Sequence, residues 1–417
     1  MTLTTESHSL MKEIDQVDSM VKWLASFGQS DSGGVNRLLY SPSWVQAQHA
    51  LENKMKSYGF ITHFDSVGNL FGKLQGSTPN TKTILTGSHI DSVLNGGIYD
   101  GVYGIIASLL AVKKLHETYG TPKKSIEVVS LCEEEGSRFP LTFWGSGNIT
   151  GKYTLEDIEG IKDTDGVLFS EAMKNAGFDP VQYSSPQRND IDCFIELHVE
   201  QGIVLEKKGS SIGTVSHIVG QRRYTVTITG ESNHAGTTPM PYRKDALATA
   251  GHFISYISEK AIQTDPQLVA TVGKINASPN VPNVIAGEAQ FTLDVRHFKE
   301  DVLDEFCDHL ANYFKQVAQK REMEITIDQW MNVQAVKMDP SLTELSKLAA
   351  TEKNITFEPL ISGAGHDAQV FGTFCPTSLL FVPSEKGISH SPKESTKKED
   401  LEKGIELLTE LLYRLAY

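Results

Sequence analysis

Apolar residues recur at helical spacing over residues 10–27 and 42–58, and Ser41-Pro42 gives the second run an N-cap and a first-turn proline. Residues 61–64 and 70–74 read as short strands around Val67-Gly68-Asn69, whose glycine–asparagine pair predicts a hairpin turn. A buried strand is expected at 83–86 and a helix at 105–116. The segments Gly87-Ser88-His89-Ile90-Asp91 and Asp100-Gly101-Val102-Tyr103-Gly104 therefore fall in a strand-to-helix turn, where an open α/β sheet keeps its chemistry. The nearly continuous apolar run at 125–132 empties into Glu133-Glu134-Glu135-Gly136, and the strand expected at 193–197 ends at His198-Val199-Glu200-Gln201-Gly202.

From about residue 219 the texture changes. Tyr224-Thr225-Val226-Thr227-Ile228-Thr229 alternates with period two, as in a sheet with one wet face. A helix over 243–261, strands at 268–275 and 289–296, a helix over 300–320 and a strand at 324–328 complete a small α+β set. The strand–helix rhythm then resumes with a helix near 342–353, the loop 362–367, a strand at 378–382 and a closing helix over 400–415. The expectation is an α/β catalytic domain with a mostly parallel central sheet, built from 1–218 and 332–417 and interrupted by an α+β insert at 219–331. At 417 residues the chain exceeds the roughly 250–300 residues at which single cores stop growing, which agrees with two domains.

The carboxyl ends of the predicted strands carry His89, Asp100, Glu134, Glu135, His198 and, past 378–382, His390. Imidazoles and carboxylates suit Zn²⁺, Mn²⁺ or Co²⁺. Five ligands with one shared carboxylate supply three to each of two ions about 3.5–4 Å apart, and Asp100 is the expected bridge. Singly, a strand-end histidine reads as a hydrogen-bonded structural residue and a glutamate triplet as a solvated turn. Jointly they are harder to dismiss, because the triplet follows a strand too apolar for the surface, and buried carboxylates want a cation. Asp91 is placed to accept the imidazole proton on the His89 nitrogen not used for metal. The glycine run Gly145-Ser146-Gly147-Asn148-Ile149-Thr150-Gly151 has its third glycine displaced for a dinucleotide site, and no such site is expected.

Charge narrows the partners. A net charge of −14 without a basic cluster argues against nucleic acid. Cys132, Cys193, Cys307 and Cys375 form no CxxC pair, so reduced buried thiols are expected. Residues 1–15 are polar and lack an apolar signal core, and no stretch approaches the ~20 apolar residues of a membrane span, which makes the cytoplasm the expected address.

Six motifs in order resemble, over nearly the whole length, the two-metal amidohydrolases that include N-carbamoyl-L-amino-acid hydrolases, ureidopropionases and allantoate amidohydrolases, relatives of carboxypeptidase- and aminoacylase-type metallopeptidases. They are Gly87-Ser88-His89-Ile90-Asp91-Ser92-Val93, Gly96-Gly97 with Asp100-Gly101, Glu133 to Phe139, Glu196-Leu197-His198-Val199-Glu200-Gln201-Gly202, His234-Ala235-Gly236-Thr237-Thr238-Pro239-Met240, and Ser389-His390. Phe143-Trp144-Gly145-Ser146, the run 218–227 and Ser362-Gly363-Ala364-Gly365-His366-Asp367-Ala368-Gln369 are most similar to the allantoate-acting branch. The resemblance implies one divalent ion on His89, Asp100 and His198, a second on Asp100, Glu135 and His390, and Glu134 as general base. It also implies a small ureido carboxylate as substrate and a homodimer formed through the insert acting as a lid. His234 would reach the developing oxyanion from the partner subunit. Arg296 would clamp the substrate carboxylate, with Arg223 and Asn283 as further substrate contacts and Gln201 near the ureido group. The alternatives are an N-carbamoyl-L-amino-acid hydrolase with the same mechanism, and a metal-binding protein of the same fold without catalysis.

Overall fold

The computed structural model describes residues 17–417. The polar stretch 1–15 and the first part of the helix expected at 10–27 lie outside the described residues; residues 17–25 are helical. Two compact units are present. One runs through Ser216 and resumes from Lys337 to Tyr417; the other is His217–Val336.

In the first unit the helix Pro42–Ser57 begins where Ser41 Oγ accepts the Trp44 N–H with Pro42 in the first turn, and it buries Trp44, Ala47, Gln48, Leu51 and Met55. Strands β1 (Ile61–Phe64) and β2 (Leu70–Leu74) pair antiparallel through a turn in which Asp65 Oδ1 accepts the N–H groups of Val67, Gly68 and Asn69. Strands β3 (Thr83–His89), β4 (Ile126–Leu131) and β5 (Ile191–Val199) follow, and β6 (Ile212–Ile218) closes the first pass of the chain. The insert carries β7 (Gly220–Thr229), β8 (Asn233–His234), β9 (Val269–Thr271), β10 (Ile275–Ser278), β11 (Val284–Ile285), β12 (Glu288–His297) and β13 (Glu324–Val333). The return adds β14 (Val336–Lys337), β15 (Phe357–Ser362) and β16 (Thr377–Val382).

Among the described residues, nine strands form one sheet in the order β1-β2-β4-β3-β5-β16-β6-β14, with β15 against β6. Its centre, β4-β3-β5-β16, is parallel. β3, β4 and β16 are buried along their whole length, as the apolar runs require of strands covered on both faces. Because the four run the same way, the residues at and just past their carboxyl ends share one edge of the sheet. The helix Val102–Tyr119, buried on most of its surface, joins β3 to β4, and Tyr103 Oη donates to Leu401 O of the closing helix Lys398–Ala416.

The insert is a five-stranded sheet, β10-β12-β7-β13 with β9 against β12. Its helices Ala246–Thr264, capped by Asp245, and Glu300–Lys320 bury Phe253, Phe306, Leu310 and Phe314 in a core shared with Val226, Phe291 and Val295. The single strand expected at 268–275 is two strands on the same neighbour: β9 pairs with Asp294–Arg296 and β10 with Glu288–Phe291, and the break falls at Gly273. β15 had no counterpart in the sequence reading, because Pro359 and Glu358 are unusual inside a strand; it is an edge strand, where a proline is tolerated. No described helix is long and apolar enough to cross a membrane.

Candidate metal centre and active site

β3 ends on His89, β5 carries His198 one residue from its end, and the loop after β4 brings Glu134 and Glu135 to the same edge. Asp100 sits in the turn before the helix Val102–Tyr119, and His390 in the loop between β16 and the closing helix. Asp100 is central. Its Oδ1 lies 3.4 Å from His89 Nε2 and 3.1 Å from His198 Nε2, and its Oδ2 lies 3.3 Å from His390 Nε2. His390 Nε2 is also 3.5 Å from Glu135 Oε1. Three groups have ligand atoms mutually within 4.8 Å: His89, Asp100 and His198; His89, Glu134 and Glu135; Asp100, Glu135 and His390.

The donor set fits divalent cations. His198 Nδ1 is 2.9 Å from Val199 O, and His89 Nδ1 is 3.3 Å from Asp91 Oδ1 and 3.2 Å from Asp91 O. Each imidazole therefore has a partner for an Nδ1 proton and turns Nε2 toward Asp100, the His198 nitrogen also accepting the Gly101 N–H at 3.0 Å. Asp100 Oδ1, buried between these nitrogens, has no hydrogen-bond donor. A buried carboxylate oxygen without a donor, faced by two imidazole nitrogens, calls for a positive charge beside it.

The electrostatics carry the same message. Burial pushes the Glu134 carboxyl well above the usual carboxylate range, and the neighbouring Glu135 adds to the shift. Burial and Asp100 raise Glu135 to about 7. Asp100 moves the other way: burial opposes its charge, but His198, His390 and His89 hold it well below its ordinary value. Asp100, with burial working against it, lifts His390 to about 9.

Around the cluster, Asp91 does more than face His89. Its Oδ1 accepts the Glu134 N–H at 3.0 Å and its Oδ2 the Glu135 N–H at 3.1 Å, so one carboxylate orients a histidine and the backbone beneath two glutamates. Gln201, at a left-handed φ of 55°, donates from Nε2 to Asp100 Oδ2 at 3.0 Å. Gly101 has a φ of 65°, and a Cβ there would collide with His89 O and its ring, so only glycine lets Asp100 approach His89.

Sequence reasoning missed a buried layer behind the cluster. Glu196 takes Ser88 Oγ–H at 2.7 Å and Ala368 N–H at 2.8 Å, and Ser146 Oγ donates to Asp367 Oδ1 at 2.6 Å. The His366 ring lies 4.7 Å from that of His198, edge to face, and its Nε2 is buried without a partner. Its signal was present in Gly363-Ala364-Gly365-His366-Asp367, but only a strand at β15 would have aimed that loop at the sheet edge. The glycine run at 145–151 is a buried helix, Trp144–Thr150, packed against Asn69 and Tyr153.

The remaining predicted residues lie in the insert. Arg296 binds Asp294 through Nε to Oδ1 and Nη2 to Oδ2, each at 3.0 Å, and Arg223 Nε reaches Asp294 Oδ2 at 2.9 Å. Both guanidinium groups thus project from one face of the insert's sheet, held by one carboxylate, with Arg223 over the exposed Trp330 ring. His234 is exposed and close to Asn283, whose carbonyl accepts the Ala235 N–H at 3.0 Å.

Residues 85–414 match the model of peptidase family M20/M25/M40. The chain belongs to this family. It is 47% identical to an allantoate amidohydrolase of Bacillus subtilis (strain 168), over 97% of this chain and 98% of that protein. It is 45% identical to an allantoate amidohydrolase of Escherichia coli (strain K12), over 96% and 98% of the two. Among solved structures, a hydantoinase/carbamoylase family amidase from Burkholderia multivorans superposes with a TM-score of 0.91 at 32% identity, covering 97% of this chain and 98% of the other. This M20/M25/M40 chain is accordingly a hydrolase of the amidohydrolase type, with an α/β fold around a mostly parallel sheet.

Proposed function

We propose that this chain hydrolyses the ureido group of allantoate, yielding ureidoglycine, ammonia and CO₂, on a centre of two divalent ions. The observation that carries the reading is Asp100, with one oxygen toward His89 and His198 and the other toward His390, next to a carboxylate, Glu134, that the two groups sharing Asp100 leave out. The substrate assignment rests on identity: 47% and 45% to allantoate amidohydrolases against 33–36% to N-carbamoyl-L-amino-acid amidohydrolases.

His89, Asp100 and His198 would hold one ion and Asp100, Glu135 and His390 the other; when bound, such ions polarise the scissile carbonyl and make hydroxide available near neutral pH. Glu134 takes a proton from the attacking water and later delivers it to the departing nitrogen. Its burial suits both roles, since a raised carboxyl can hold that proton between the steps. Ammonia leaves, and the resulting carbamate loses CO₂. Arg296 and Arg223 clamp the substrate carboxylate, Asn283 and Gln201 add polar contacts, and His234 donates to the developing oxyanion. In this reading His234 would come from the second subunit of a homodimer joined through the insert, which would act as the lid. Free thiols at all four cysteines agree with a cytoplasmic address.

The test is ammonia release from allantoate and from a panel of N-carbamoyl-L-amino acids, using metal-stripped protein resupplied with Mn²⁺ or Zn²⁺. Metal-dependent turnover of allantoate, reduced about 10²–10⁴-fold in Glu134→Gln with ion binding kept, is expected. Preference for a carbamoyl amino acid would overturn the substrate, and activity untouched by chelation would overturn the metal centre.

A further inference from the structure

The two candidate ion sites differ in how they are scaffolded. His89 and His198 stand on β3 and β5, inside the central sheet. Asp100 and His390 both sit on irregular chain, nearly three hundred residues apart in sequence. Something must hold those two loops in register, because a shared carboxylate is useful only where both of its oxygens meet their partners.

Glu394 does this. It is buried at 6% exposure, and its Oε2 accepts the N–H groups of Tyr99 at 2.8 Å and Asp100 at 3.2 Å. Its Oε1 accepts the hydroxyl of Ser389, the neighbour of His390, at 2.9 Å. The same hydroxyl lies 3.2 Å from Asp100 Oδ2. All three bonds thus go to the two segments that carry Asp100 and His390. A glycine makes room for the clamp: a Cβ on Gly97 would collide with the Glu394 carboxylate. Gly97 has no left-handed φ, so alanine there is opposed by this contact and not by the backbone.

We propose that Glu394 is a positioning residue that clamps the Asp100 turn to the His390 loop and thereby sets the affinity for the ion held by Asp100, Glu135 and His390. The inference rests on the two-ion reading of the centre. Removing the clamp loosens two ligands of the loop-borne site, Asp100 and His390, but only Asp100 among the three of the other site, whose His89 and His198 stay fixed on β3 and β5. Loss of an outer partner of metal ligands typically weakens ion binding about 10–100-fold.

The experiment is a Mn²⁺ titration of the metal-stripped, full-length protein by calorimetry and chelator competition, with His390→Ala as the marker for the loop-borne site. Glu394→Ala should follow His390→Ala in weakening one binding step about 10–100-fold, with the other, which keeps His89 and His198 on the sheet, weakened distinctly less. Glu394→Gln should bind both ions nearly as the unaltered chain does, because its carboxamide oxygen can accept both backbone N–H groups while its NH₂ meets Ser389 Oγ. Gly97→Ala, which displaces the carboxylate without removing it, should repeat the Glu394→Ala loss. It carries the test together with Glu394→Gln if Glu394→Ala loses its cooperative melt. Two unaltered steps in Glu394→Ala and Gly97→Ala would overturn the proposal, as would equal weakening of both steps in Glu394→Ala or Glu394→Gln. An unaltered chain that binds fewer than two ions would refute the two-ion reading itself, and the clamp with it.

Discussion

Asp91 offers a demanding test of how the centre is held, because its two oxygens have separable duties. Oδ1 serves the Glu134 N–H and faces His89 Nδ1, whereas Oδ2 serves the Glu135 N–H, and the Glu133 carboxyl also bonds to this carboxylate. In Asp91→Asn the amide NH₂ can occupy either place. At the Oδ1 position it would face two donors, and at the Oδ2 position only one, so the second rotamer is preferred. The variant then leaves one buried N–H unsatisfied, at about 1–3 kcal/mol, and gives His89 a neutral partner in place of a carboxylate. Asp91→Ala loses all these contacts. Measured as divalent-ion affinity and as kcat/KM for allantoate, Asp91→Asn should fall about 10–100-fold, equivalent to about 1.4–2.8 kcal/mol, and Asp91→Ala further. The order matters more than the size. If both variants match the unaltered protein, or if alanine is the milder of the two, Asp91 is not what orients His89 and the 134–135 backbone.

Arg296→Ala should lower kcat/KM for a carboxylate substrate about 10–100-fold through loss of a bidentate charge-assisted pair, and Arg296→Lys should recover little, because an ammonium cannot reproduce the planar fork; unchanged steady-state kinetics in both would dismiss the clamp. His63, on the exposed side of β1, stacks on Phe71 with ring centroids 4.8 Å apart, and the water it loses there, opposed by Glu127 and helped by Arg188 and Lys73, depresses its pKa. Its neutral form is therefore favoured by folding: its full contribution is present above the unfolded value of about 6.5 and is lost as pH falls below it toward the folded value. His63→Phe, which keeps the stacking and cannot titrate, should gain urea resistance relative to the unaltered protein between pH 8 and pH 5; a stability difference that does not vary with pH would contradict this.

Much of this protein was legible without coordinates. Period and apolar runs placed the helix at 42–58, the strands at 61–64 and 70–74 and the helix at 300–320 almost to the residue, because local signals mark them: the Ser41-Pro42 start of the first helix, the turn residues between the strands, and the apolar stripe of the last helix. Parallel strands buried on both faces announce themselves as apolar runs, and the polar residues just past them are conspicuous, which is why His89, Glu134, Glu135 and His198 could be singled out. Their mutual distances could not be read the same way. Asp100 and His390 lie on turns with no periodicity, and only the sheet order, which sets β5 between β3 and β16, brings those turns to one edge. Glu196, His366 and Asp367 stood in conspicuous motifs, but that they form a buried layer could not be read, because a carboxylate is hidden or exposed according to what the rest of the chain stacks upon it. Glu394 makes the same point, since in sequence nothing sets it apart from Glu385, the other acid between β16 and the closing helix. The amino-acid pattern determined the elements and the chemistry available to them. Tertiary structure decided which carboxylates are buried, which imidazoles face one another, and which loops are tied together, because those depend on contacts between residues hundreds of positions apart.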